Sequence, residues 1–94
     1  MIAAHIRREY IYHITERQKE LEEQQITVYG IEAYESGYRY SEDERRHCLL
    51  EDISSKRPFV SQLLRIVESQ RVSPIHLWDV VYDYLVGEDE THGT

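Results

Sequence analysis

Ile26-Thr27-Val28-Tyr29-Gly30-Ile31-Glu32-Ala33-Tyr34 decides the fold class, because its β-branched and aromatic side chains suit a pleated, half-buried surface. Its apolar alternation changes phase at Gly30, from Ile26/Val28 to Ile31/Ala33, as a β-bulge at a residue without Cβ would produce. Upstream, Tyr10-Ile11-Tyr12-His13-Ile14-Thr15 has the same character and predicts a first strand. The polar stretch from Arg17 to Gln25 leaves a hairpin arm and a short helix both open. Downstream, Ser36-Gly37 marks a turn and Tyr38-Arg39-Tyr40 begins a return arm. Ser41-Glu42-Asp43-Glu44 interrupts as an acidic loop or as one helical turn capped by Ser41. His47 to Ile53 completes a third strand, and the short connections predict an antiparallel meander.

After Ile53 the hydrophobic period changes from two to about 3.6. Ser54 or Ser55 can cap a helix, and Pro58 fits its first turn. Phe59, Val60, Leu63, Leu64, Ile66 and Val67 fall within an arc of about 160°, so this helix is amphipathic. Ser73-Pro74 is an N-cap and N1 pair that opens a second helix to about Val86, with Gly87 ending it. There His76, Asp79 and Asp83 form one narrow polar stripe. Ile75, Leu77, Trp78, Val80, Val81, Tyr82, Tyr84, Leu85 and Val86 cover most of the remaining girth. Such a helix is covered on more than one side. Either it is the central core helix, or Trp78, Tyr82 and Tyr84, with Ile75 and Leu85, face out as a dimer or partner interface.

The chain has 94 residues and a formal net charge of −7. That length accommodates one domain, read here as residues 1–87 with an acidic disordered tail at 88–94. No Lys or Arg follows Arg71, and affinity for nucleic acid rests on such cations. The layout from Gln62 to Leu85 is that of a helix-turn-helix, but Asp79 and Asp83 would meet a polyanion, which argues against DNA reading. The single Cys, Cys48, excludes an intramolecular disulfide. It reads as a buried structural thiol, since His47 would point to the opposite strand face. The opening segment is too short for a signal-peptide core and no apolar run is long enough to span a membrane, so a cytoplasmic protein is expected.

No Gly-x-Ser-x-Gly elbow and no Gly-rich phosphate loop occurs, and no catalytic residue is predicted. His76, Asp79 and Asp83 share a face at metal-ligand spacing, but they read as the wet stripe of the helix, so neither a metal nor another cofactor is expected. Glu42, Asp43 and Glu44 read as solvated charges which, with Asp79 and Asp83, make up an acidic surface. The tyrosines of the strand half lie in a net acidic setting, so cross-strand pairing explains them better than base stacking does.

Tyr29-Gly30-Ile31-Glu32, Glu51-Asp52-Ile53-Ser54 and the stretch Val72 to Leu85 resemble the landmarks of a family of small uncharacterised proteins of Gram-positive, mainly clostridial-type, bacteria. The resemblance covers roughly residues 10–86 and implies a bacterial cytosolic domain with no assigned activity. The expectation is an α+β fold: a three-stranded antiparallel β-meander followed by two C-terminal α-helices packed on one face. The expected function is that of a non-enzymatic regulatory or adaptor protein acting through protein contact, with itself as one candidate partner. The alternatives are a phage or mobile-element inhibitor that mimics nucleic acid and, more weakly, a DNA-binding regulator.

Overall fold

A computed structural model describes residues 8–92, with side chains placed through Gly87. Strands β1 (Tyr10–Leu21), β2 (Gln24–Glu35) and β3 (His47–Ser54) form one antiparallel sheet in the order β1-β2-β3. Helices α1 (Arg57–Ser69) and α2 (Leu77–His92) follow. This is the α+β meander with two C-terminal helices that the sequence predicts.

The polar stretch after Thr15 is a hairpin arm. β1 and β2 pair without interruption from Tyr10↔Glu35 to Leu21↔Gln24. The connecting pair, Glu22 and Glu23, is left-handed at both positions (φ 51° and 67°), as the twist of a two-residue hairpin turn requires. Asn-Gly usually makes such turns, and its absence hides this one in the sequence.

The irregularity expected within β2 lies in its neighbour. β2 runs in register with β1 straight through Thr15↔Gly30, whereas its pairing with β3 jumps from Ile31↔Leu50 to Tyr29↔Ser54. The extra residues therefore belong to β3, around Glu51 to Ile53. The hydrophobic phase change has another cause: β2 is buried on both faces. Tyr29, Ile31 and Ala33 pack against the core, while Val28, Glu32 and Tyr34 are buried on the far side. Gly30 shares that far face, and a Cβ there would collide with the Leu50 carbonyl oxygen and lie 2.6 Å from that of Glu51. β3 crosses β2 at this gap, and Asp52 then reaches β1. Arg17 donates to both Asp52 carboxylate oxygens at 2.8 Å, and Lys19 Nζ donates to Oδ2 at 3.3 Å. The bonds from Arg17, against some desolvation and with help from Lys19, hold the Asp52 carboxyl down to about 2.

Tyr38-Arg39-Tyr40 is not a strand. Gly37 (φ 90°) and Tyr40 (φ 72°) turn the chain back, so residues 36–46 form a loop across the far face of the sheet. Ser41 caps no helical turn; its Oγ accepts the Asp43 N–H at 3.1 Å.

On the near face, Ile31 and Ala33 meet Val60, Leu63 and Val67 of α1, then Val72, Leu77 and Val81. α1 begins after an extended Lys56 that supplies no side-chain cap; Ser54 instead accepts the Lys56 N–H at 3.0 Å. Its other end closes through Arg71 N–H to Glu68 O and Val72 N–H to Val67 O, both 3.1 Å, with Arg71 left-handed at φ 51°. These paired bonds satisfy the last carbonyls and bring Val72 under Val67. The Tyr12 hydroxyl donates to Val72 O at 2.7 Å, tying β1 to this link, and burial pushes its pKa up to about 12.

Ser73 is extended and makes no side-chain cap, and Pro74–His76 form a 3-10 turn before α2. Gly87 does not end α2, whose backbone stays helical through His92. Gly87 has no left-handed φ, the feature that would let it terminate a helix. The helical backbone thus runs on into the expected 88–94 tail, of which residues 93–94 lie outside the described residues. No described helix is long and apolar enough to cross a membrane.

Gly30→Ala should lower unfolding stability by about 3 kcal/mol in urea titration, because backbone rather than a side-chain tip occupies the space. Replacing Glu22-Glu23 with Asn-Gly should raise stability by about 1 kcal/mol in the same experiment, by relieving left-handed strain.

Candidate functional site

α2 is not the sealed core helix that its girth suggested. Leu77 and Val81 are fully buried, but Trp78 and Tyr82 keep about half their surface in water (50% and 52%). Their rings lie 5.5 Å apart at 50°, one turn from each other on a single face. At about 100° per residue, Trp78, Tyr82 and Leu85 share an arc of about 60°. Ile75, in the preceding turn, is also exposed and joins Trp78 at one groove.

Trp78 stands between two shallow grooves against β3. One, of about 270 Å³, is lined by Glu44, His47, Cys48, Pro74, Ile75 and Trp78. The other, of about 280 Å³, runs between Leu49, Ile53, Trp78 and Leu85. The structure thus brings together Ile75, Trp78, Tyr82 and Leu85. Tyr84 is set apart from them, about 120° around the helix, at a separate hollow with Gln70, Val80 and Asp83. Exposed Leu49 was missed in the sequence, although strand alternation against Cys48 and Leu50 marks it as pointing away from the core.

The acidic residues do not form one sheet of charge. Asp43 is held by Arg45 through both carboxylate oxygens at 3.1 Å and by the Arg45 backbone N–H at 3.0 Å, with Arg46 at 3.8 Å. Those bonds keep its carboxyl below the usual aspartate range. Among the described residues Glu42, Glu44 and Asp83 carry no ion pair, and Asp79 meets only His76, at 3.9 Å. No three His, Cys, Asp or Glu side chains group as metal ligands among the described residues. Cys48 packs against the core, where burial, then the nearby Glu44 charge, raises its pKa and suppresses the thiolate.

A second constellation lies under the loop over the far sheet face. Glu32 is 5% exposed, and its Oε2 sits 2.8 Å from His47 Nε2 while Arg39 Nη2 donates to Oε1 at 2.9 Å. Burial raises the Glu32 pKa, but the bonds from His47 and Arg39, with their charges, outweigh it and hold the group below its ordinary value. An ionised carboxylate only accepts, so Nε2 of His47 carries the proton of this bond. The Arg39 guanidinium also lies 5.2 Å from the centres of the Tyr34 and Tyr40 rings, and the Tyr34 hydroxyl bonds His13 Nε2 at 3.1 Å. Strand pairing sets Glu32 opposite His13 on β1 and two residues from Tyr34, the partner of His47, on the same face of β2. The sequence offered Glu32 as a landmark but no sign that a loop would cover it.

A family model matches residues 3–87, nearly the whole described fold and both constellations. The chain belongs to DUF6514, a family of unknown function. No curated protein and no solved structure matches it. In this DUF6514 chain the Glu32 cluster satisfies itself internally and anchors the loop, whereas the Trp78 face is left open.

The Glu32 contribution should be complete above about pH 4.5 and disappear as pH falls through the lower folded-state pKa. Glu32→Gln should cost about 2 kcal/mol at neutral pH and flatten the acid limb of stability measured by urea unfolding across pH.

Proposed function

We propose that this is a non-enzymatic regulatory or adaptor protein, acting in the cytoplasm of a Gram-positive bacterium by docking another protein on the aromatic face of α2. The observation that carries the reading is Trp78 with Tyr82, their rings tilted against each other 5.5 Å apart, half in water and contiguous with exposed Ile75. The core closes without them: Leu77 and Val81 already fill the inward side of α2. Large aromatic side chains are the residues on which binding energy concentrates, and leaving them exposed carries a solubility cost that folding does not explain. The cluster around Glu32 supports the same reading, because its ionised groups are spent on each other. Cys48, the one thiol, faces the core instead of that cluster.

A photo-crosslinking residue placed at Tyr82 in producing cells should capture a discrete partner, and one at Gln18 on the far end of β1 should not. Trp78→Ala should abolish that capture while lowering folding stability by only about 1 kcal/mol, since half of the side chain is already hydrated. Equal capture from both positions, or capture that survives Trp78→Ala, argues against the docking face. Light scattering across concentration tests whether a second copy occupies it.

A further inference from the structure

The partner's chemistry is written in the rim of the docking face. Neither groove beside Trp78 is lined by a Lys or Arg, and Glu44 borders one while Glu51 and Asp52 border the other. Asp52 and Glu51 are answered by Arg17 and Lys19, but Glu44 has no ion pair among the described residues. On the outer flank Asp79 is exposed, and Asp83 lies one turn along the same side. The apolar strip is therefore bounded by carboxylates on both sides, of which Glu44 and Asp83 have no ion pair among the described residues and Asp79 meets only His76. A second copy presenting the same strip would set Asp79 and Asp83 near their own images, with no cation on α2 to answer them.

The strip has the spacing of a helix seam. Ile75, Trp78, Tyr82 and Leu85 follow one another at intervals of three, four and three, which matches the face of a neighbouring helix. A visiting helix carries side chains about 5–6 Å apart at i and i+4, so two of them can straddle the indole and enter the two grooves. An added strand is disfavoured, because the irregularity at Glu51 to Ile53 breaks the regular edge of β3.

We infer that the α2 face with the two grooves beside Trp78 binds an amphipathic helix of another protein, apolar along one seam and rich in Lys and Arg at its borders. This rests on the docking reading above and adds to it the shape and charge of the occupant.

Trp78 is the single Trp of the chain, so its emission reports on this site directly. The probe is a synthetic helix of about eighteen residues, long enough to hold its structure, with Leu along one seam and Lys elsewhere. Two companions accompany it: one with Glu in place of Lys, and one with the Lys residues kept and the seam changed to Ser. The Lys-Leu helix should shift Trp78 emission to the blue and bind at least about tenfold more tightly than either companion, weakening several-fold as salt rises. Asp79→Asn with Asp83→Asn should weaken it about as much as the added salt, in a protein whose unfolding midpoint is unchanged.

Equal binding of the Glu helix would overturn the charge assignment. Equal binding of the Ser-seam helix would show diffuse attraction to an acidic protein and overturn the site. Capture at Tyr82 in cells, without preference for the Lys-Leu helix, would overturn this inference and leave the docking reading standing; absence of both would remove both.

Discussion

β3 pairs edge to edge with β2 from Tyr34 to Ile31, but the irregularity at Glu51 to Ile53 can lie over β2 only where β2 carries no side chain, and Gly30 provides that position. The Leu50 and Glu51 carbonyls occupy the space that a Cβ would need. That irregularity delivers Asp52 to Arg17 and Lys19 before Ile53 returns to the core and Ser54 to its pairing with Tyr29. Leu50 stays against the core, while Leu49 turns to the far face beside Glu32, Arg39 and Tyr40.

Covering the far face of β2 changes what the helices must do. The loop 36–46 shields Glu32 and Tyr34, with Arg39 and His47 supplying the polar partners that make a buried carboxylate tolerable. The helices then have only one sheet face to cover. α1 supplies Val60, Leu63 and Val67, and two residues of α2 complete the layer. Val80 and Leu85 pack at its edge, but the half-exposed Trp78 and Tyr82 are surplus to folding, and that surplus is the basis of the docking reading.

Much of this was legible in the residues. The three strands, the amphipathic α1 and the outward turn of His47 relative to Cys48 follow from periodicity alone, and Trp78 and Tyr82 stand out as aromatics on a helix already rich in apolar side chains. Periodicity failed where coverage depends on distant chain. The phase change at Gly30 looked like a bulge in β2 because alternation cannot distinguish a slipped register from a strand buried on both sides. The girth of α2 likewise implied enclosure, since hydrophobicity reports a preference for burial and not the presence of a neighbour. The Glu32 cluster was hidden for the same reason: its members come from β2, β3 and the loop, and only the fold draws them together. Ser73-Pro74 does open the helical segment as the capping rules predict, though as a 3-10 turn without a side-chain cap, whereas at Gly87 they gave the wrong boundary, because the helical backbone continues.

The Glu22-Glu23 turn bears on the order in which the chain assembles. A hairpin closes fastest from its tip when the tip favours the turned conformation, and two left-handed glutamates do not. The opposite end of the ladder, where Tyr12, Ile14 and Ile31 meet α1, gains apolar contact early and offers the better nucleus. Pairing is then expected to zip outward toward the tip, so that the arm is the last part to form and the first to open, which amide exchange would register as weakest protection near Leu21 and Gln24.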